Sequence, residues 1–278
     1  MNLTLLYADI FDWPLSKEEL FFWKINFPAR IASVMDNGFY VLPRRQKLVQ
    51  IRKKKEFYAV KKWEIARRVA VWMRWIPTIT LVGVTGGLAR NNVNQNDDID
   101  LFCITKPGTL WISRLMAIII VELLGMRRRP TDTDVTNKIC LNMFMSEDAL
   151  SVKKNEQDLF TAYEVLQMIP LWEKEGAYKK FLDANRWSAG FLPHAWKGRV
   201  KDQGSWVKST MQGSLFTVFE PLAKTIQLWY MRKRRTTEVI TPGNLRFHPH
   251  DARIWVKREF AKRLSRYNLP LDKIFYGG

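Results

Sequence analysis

The sequence predicts an α+β fold, with a small mixed sheet between a helical N-terminal unit and a helical C-terminal half. Two observations carry this. β-prone apolar runs cluster between residues 78 and 150, whereas apolar residues recur at helical spacing before and after them. Gly86-Gly87 and Pro107-Gly108 then punctuate the central stretch where strands must turn. With 278 residues and 47% hydrophobic content, the chain is long enough for two or three domains around real cores.

In order, Leu3, Leu6, Ile10 and Phe11 repeat at helical spacing, and Pro14 ends that segment. Ser16 and Glu19 form a capping box for a second helix carrying Leu20 and Trp23. Pro28 opens a third, with Ile31, Val34 and Met35 on one face, and Asp36-Asn37-Gly38 closes it. Phe39 to Leu42 is β-prone, and Leu48 to Ile51 pairs with it across Pro43–Lys47. Three helices followed by a hairpin form a winged-helix-like pattern over residues 1–53, with Arg44, Arg45 and Lys47 in the wing. A long basic helix runs from about Arg52 to Trp75 and stops at Pro77. Strands follow at Thr78–Val84, Ile99–Thr105 and Ile139–Met145, with a buried helix over Leu110–Gly125. Residues 54–150 form this core unit. From 151 to 278 the chain reads as all-helical, with segments at Leu159–Met168, Ala177–Ser188, Leu215–Arg232 and Asp251–Tyr267.

Charge is lopsided: 45 Lys and Arg against 27 Asp and Glu, a net +18. This favours polyanionic partners, whether nucleic acid, nucleotide phosphates or an anionic membrane surface. The runs Arg52–Lys55, Arg127–Arg129 and Arg232–Arg235 carry much of it, either as solvated faces or as contacts to a nucleic-acid backbone. The last two follow apolar helices and also suit anionic lipid headgroups. The two cysteines, Cys103 and Cys140, lack metal-ligand spacing and read as buried thiols in a reducing compartment. The N-terminus lacks a basic region before its apolar run, and Leu110–Met126 is short for a membrane span and contains Arg114 and Glu122. A cytoplasmic protein is the expectation.

Chemistry concentrates in residues 81–105, LVGVTGGLARNNVNQNDDIDLFCIT. Asp98 and Asp100 are two apart at the start of a strand, so both face one way with Cα atoms about 6.7 Å apart. Two carboxylates so placed converge on one or two Mg²⁺ ions. Gly86 and Gly87 at the end of the preceding strand let the backbone approach a phosphate, and the short helix after them offers free N–H donors. Strand, Gly-Gly turn, short helix and Asp-x-Asp together form a phosphoryl-transfer constellation. The plainer alternatives are a solvated turn at Asp97-Asp98 and a surface role for Arg90. His194, His248 and His250 lie far along the chain, in settings that suit loops and caps as well as ligands.

Gly86-Gly87, Ala89, Arg90 and Asp98-Ile99-Asp100-Leu101 resemble, in order and spacing, the signature of the nucleotidyltransferase superfamily of the polymerase β type. The wider arrangement resembles bacterial nucleotidyltransferase-domain proteins with an N-terminal winged-helix-like segment. The resemblance implies transfer of a nucleoside monophosphate from an NTP to an acceptor hydroxyl that the sequence leaves unidentified. It implies Asp98 and Asp100 as ligands of Mg²⁺ or Mn²⁺, with Gly86, Gly87 and Arg90 at the nucleotide and the helical half at the acceptor. Two positions depart from the pattern. Asn91 stands where many members have glycine. The third carboxylate, carried by the family on the next core strand, falls on Asn142, which offers a carbonyl oxygen but no base. The alternative is therefore a catalytically degenerate module that binds nucleotide or nucleic acid. Glu164 and Asp134 are the carboxylates whose placement discriminates between the two.

Overall fold

The computed structural model describes residues 3–201, 214–232, 239–247 and 252–277. Helix α1 (Thr4–Asp9) leads into α2 (Lys17–Phe22), where the expected capping box is present: Glu19 N–H donates to the Ser16 hydroxyl, and Ser16 N–H donates to the Glu19 carboxylate. The third helix expected after Pro28 does not form. Val34–Asp36 (β1) and Phe39–Val41 (β2) pair as a tight hairpin, with Asn37 and Gly38 both at positive φ in its turn. Asp36-Asn37-Gly38 is thus a hairpin turn rather than a helix stop, the role an Asn-Gly pair most often takes. Nor is Leu48–Ile51 a strand. It opens α3 (Leu48–Met73), a 26-residue helix. The order of elements needed for a winged helix is therefore not what these residues adopt.

The N-terminal unit is pinned to α3 by Arg52. Its guanidinium donates to both Glu19 oxygens (2.5 and 2.9 Å), to Glu56 and to the Pro14 carbonyl. It also lies 4.3 Å from the ring centroids of Trp13 and Phe39. Arg45, expected in a wing, instead pairs with Asp9 and Asp12.

The centre is a six-stranded mixed sheet. Strands β3 (Ile79–Val84), β4 (Ile99–Thr105) and β5 (Ile139–Ser146) appear as expected, with α4 (Leu110–Leu123) crossing between β4 and β5. The remaining three strands come from the half expected to be all-helical: β6 (Ile169–Glu173), β7 (Val239–Thr241) and β8 (Asn244–Arg246). The order is β6-β3-β4-β5-β8-β7, and only β4 and β5 are parallel among these neighbours. Because β6 and β8 pair with core strands on either side, the sheet draws on residues from both sides of position 150.

Alternation on β4 sends its side chains to two cores. Ile99, Leu101 and Cys103 join α3, α4 and Ala223 on one face. Phe102 and Ile104 face the other, covered by α1, α5 (Leu159–Gln167), α6 (Ala177–Ala184), α7 (Ser188–Phe191), α8 (Pro193–Lys201), α10 (Ala252–Ser265) and α11 (Leu271–Phe275). Helix α9 (Glu220–Met231) lies against α4, and its Glu220 carboxylate accepts from the Trp111 and Ile112 N–H groups (both 2.8 Å), satisfying free donors at the start of α4. Among the described residues no helix is long and apolar enough to cross a membrane.

Candidate functional site

At the N-terminal end of β4 the alternation that places Phe102 and Ile104 on one face puts Asp100 and Asp98 on the same side. Oxygen atoms of both carboxylates and the Cys140 sulfur lie within 4.8 Å of one another. Asp100 pairs in register with Cys140 on β5, and a bulge just beyond them shifts the register, after which Phe102 faces Met143. The buried Asn142 amide donates to Asp100 Oδ1 at 2.8 Å, while its own carbonyl oxygen is buried with no hydrogen-bond partner. Asn142 therefore occupies the face the sequence assigned to it. Cys140, read from sequence only as a buried thiol, belongs to the cluster as well.

Gly86 is part of the same structure. Its φ of +64° suits glycine, and a Cβ there would fall 2.5 Å from Asp100 Oδ2. Thr85 N–H donates to the Asp100 carbonyl, so the glycine turn is laced to the strand bearing the acids. Gly87 starts the short 3₁₀ turn Leu88–Arg90, and a Cβ there would meet the Asn92 carbonyl at 2.6 Å. Asn91 closes the turn at φ +54°, the left-handed conformation that asparagine tolerates better than most residues. The departure from glycine at this position is conformationally silent.

Helix α3 holds the turn from behind. The buried Lys62 ammonium donates to the Gln95 and Asp97 carbonyls and to Asn137 Oδ1, joining the loop before β4 to the loop before β5. Lys55 reaches Asn92 (2.7 Å), and the Trp63 indole reaches Asn91 (2.6 Å). Sequence reading placed these residues on a basic helix and gave them no part in the site. The burial of Lys62 follows from helical phase, since it lies between Ala59 and Ala66, but what it holds is not legible from sequence.

Arg128 is the other residue missed. It donates to Asp98 Oδ2 at 2.6 Å and approaches the Cys140 sulfur at 3.5 Å. Its neighbours Arg127 and Arg129 both turn to Glu122 instead. Extended backbone sends successive side chains to opposite sides, so a run of three arginines divides between the site and the outer surface.

Burial first and the Asp98 charge second push the Asp100 carboxyl up to about 7, against the opposing pull of Arg128 and the Asn142 hydrogen bond. The Cys140 thiol is also pushed up, first by burial and then by Asp100 and Asp98, so it stays protonated at neutral pH. Asp98, Asp100 and Cys140 are the described side chains placed to hold a cation together, with the orphaned Asn142 side-chain carbonyl beside them.

Of the discriminating carboxylates, Glu164 projects from α5, and its charge is felt at Asp100. Asp134 stays in an exposed loop, accepting from Thr136 N–H. Arg90 is not brought to the acids. It lies 4.3 Å over the Phe11 ring, its Nε buried without a partner, in a cleft of ≈ 220 Å³ with Tyr7, Trp13, Trp23 and Tyr163. His194 packs edge-on to Phe21, whereas His248 and His250 lie outside the described residues. Comparison of the chain with protein-family models, curated proteins and solved structures returns no match.

Proposed function

We propose that the chain is a metal-dependent nucleotidyltransferase that moves a nucleoside monophosphate from an NTP to an acceptor hydroxyl. The observation that carries the reading is the contact of Gly86 with Asp100. A glycine turn with no room for a side chain is packed directly on a carboxylate that shares its face with a second one. Asp98, Asp100 and the Asn142 side-chain carbonyl would hold Mg²⁺ or Mn²⁺, and the Gly86-Gly87 turn would present backbone N–H groups to phosphate oxygens. A divalent ion bound there supplies charge neutralisation and Lewis acidity for phosphoryl transfer. Arg128 pairs with Asp98 and would turn toward phosphate once a cation neutralises that carboxylate.

A second reading has its own support. The Arg128–Asp98 ion pair and the Asn142–Asp100 hydrogen bond together satisfy the acids without a cation, as expected of a degenerate module that binds nucleotide or nucleic acid. Calorimetry of ATP with and without Mg²⁺ separates the two when run on wild type, on Asp98→Asn/Asp100→Asn and on Asn142→Asp. The transferase reading expects Mg²⁺-dependent binding that the double variant loses, and a lower Mg²⁺ requirement in Asn142→Asp. Equal ATP affinity with and without the ion in all three proteins would sink it. Labelled NTPs with a cell extract then identify the acceptor.

A further inference from the structure

Helix α9 leaves most of its large apolar side chains outside the core. Ala223 and Gln227 are buried against α4, with the Gln227 amide donating to the Trp111 carbonyl and accepting from Arg114. Leu222, Ile226, Trp229 and Tyr230 point to solvent, Trp229 at 72% exposure. A surface helix ordinarily buries its large apolar residues and wets its polar ones. On α4, alongside, Ile119 and Leu123 are also exposed, Leu123 at 81%. Leu123, Ile119 and Tyr230 line one open groove of ≈ 560 Å³ together with Arg127 and Arg129, so Tyr230 joins the exposed stripe of α9 to that of α4. Contiguous apolar surface of this kind marks a contact with something.

The chemistry around the patch selects the occupant. Arg127 and Arg129 flank it at the end of α4, and Lys224 and Arg232 are exposed on α9. Glu122 is the acid within the groove, and it is already paired with both arginines. A second copy would bring the same basic rim against itself, on a chain that already carries net +18. An anionic lipid surface instead offers phosphates to the rim and acyl chains to Leu123 and Ile119. Trp and Tyr favour that same polar–apolar boundary. The acids share the sheet face of Phe102 and Ile104, opposite the one α4 covers.

We propose that the α4–α9 patch docks the protein peripherally on an anionic lipid bilayer. The inference does not depend on the transferase reading, since neither α9 nor the exposed face of α4 contributes to the acidic cluster. The test is flotation of the full chain with vesicles of phosphatidylcholine alone and of phosphatidylcholine mixed equally with phosphatidylglycerol. It is run on wild type, on Leu123→Glu/Trp229→Glu, and on Phe21→Glu/Ile254→Glu, a pair of matched exposed positions elsewhere. Wild type and the control pair should float with the mixed vesicles and not with the neutral ones, and the patch variant should stay behind. Arg129→Gln should weaken binding by about fivefold, as expected for one basic residue near a charged surface. Unchanged melting temperatures show that each variant folds. Equal flotation of both double variants would overturn the proposal, since charge alone would then suffice. So would a wild type that ignores anionic vesicles, or one that self-associates through the patch without floating.

Discussion

At the residue scale, Asp100 is where the fold and the candidate chemistry compete. Its carboxyl is raised to about 7 from an unfolded value near 4, burial being the first cause and Asp98 the second. Between those values the native state holds a proton that the unfolded chain has released. Its contribution to stability is therefore fully present below about pH 4 and is lost as pH rises toward about 7. Asp100→Asn should abolish this contribution to the slope, stabilising the metal-free protein at neutral pH relative to wild type. Denaturation midpoints taken across that range check it, and parallel slopes in the two proteins would count against the raised carboxyl. Mg²⁺ runs the other way, since proton and cation compete for the same oxygens. Its stabilising effect should grow as pH rises through about 7.

At the element scale, α3 does more than cover the sheet. Lys62 is almost wholly buried and makes its hydrogen bonds to two loop carbonyls and one amide, which together fix the approach to Asp98 and the start of β5. Lys62→Met keeps the apolar stem but strands three acceptors. It should cost about 2–4 kcal/mol in equilibrium unfolding. Metal affinity should fall as well, although Lys62 is no ligand, because the loop carrying Asp97 and Asp98 loses its anchor. A variant destabilised to that extent with unaltered Mg²⁺ dependence would restrict Lys62 to a structural role. The strands show how an element can be half legible. β3, β4 and β5 declared themselves by apolar runs bounded by glycine and proline. Strand β6 reads Ile-Pro-Leu-Trp-Glu, and its proline argues against a strand until the edge position makes it tolerable.

At the scale of the whole molecule, the N-terminal unit behaves as a brace. Arg52 ties α2 and the loop at Pro14 to α3, and Arg263 of α10 donates to Asp9 at 3.0 Å, so the two ends of the chain meet across α1. Arg52→Lys retains the charge but loses the planar fork that reaches both Glu19 oxygens and stacks between Trp13 and Phe39. It should cost about 1–3 kcal/mol. A shift in unfolding midpoint of that size checks it, and no shift would mean that the N-terminal unit is held mainly by its apolar contacts. The same pairing draws on the basic stretch Arg44–Lys47. Arg45 is already committed to Asp9 and Asp12.

Local order was what the sequence by itself determined. Gly86-Gly87 and the Asp98–Asp100 pair, unlike Asn142, which is reached only through the family resemblance, rest on backbone conformation and a period of two, and both are written in consecutive residues. The Ser16–Glu19 cap is legible for the same reason. Tertiary structure alone decided what depends on distant partners. Val34–Asp36 is a strand because Phe39–Val41 lies beside it, and β7 and β8 are strands because β5 presents an edge. Arg128 and Lys62 were the hardest to foresee. A basic side chain carries no mark of its future acceptors, and only packing decides whether its charge meets water, a carboxylate or a loop carbonyl.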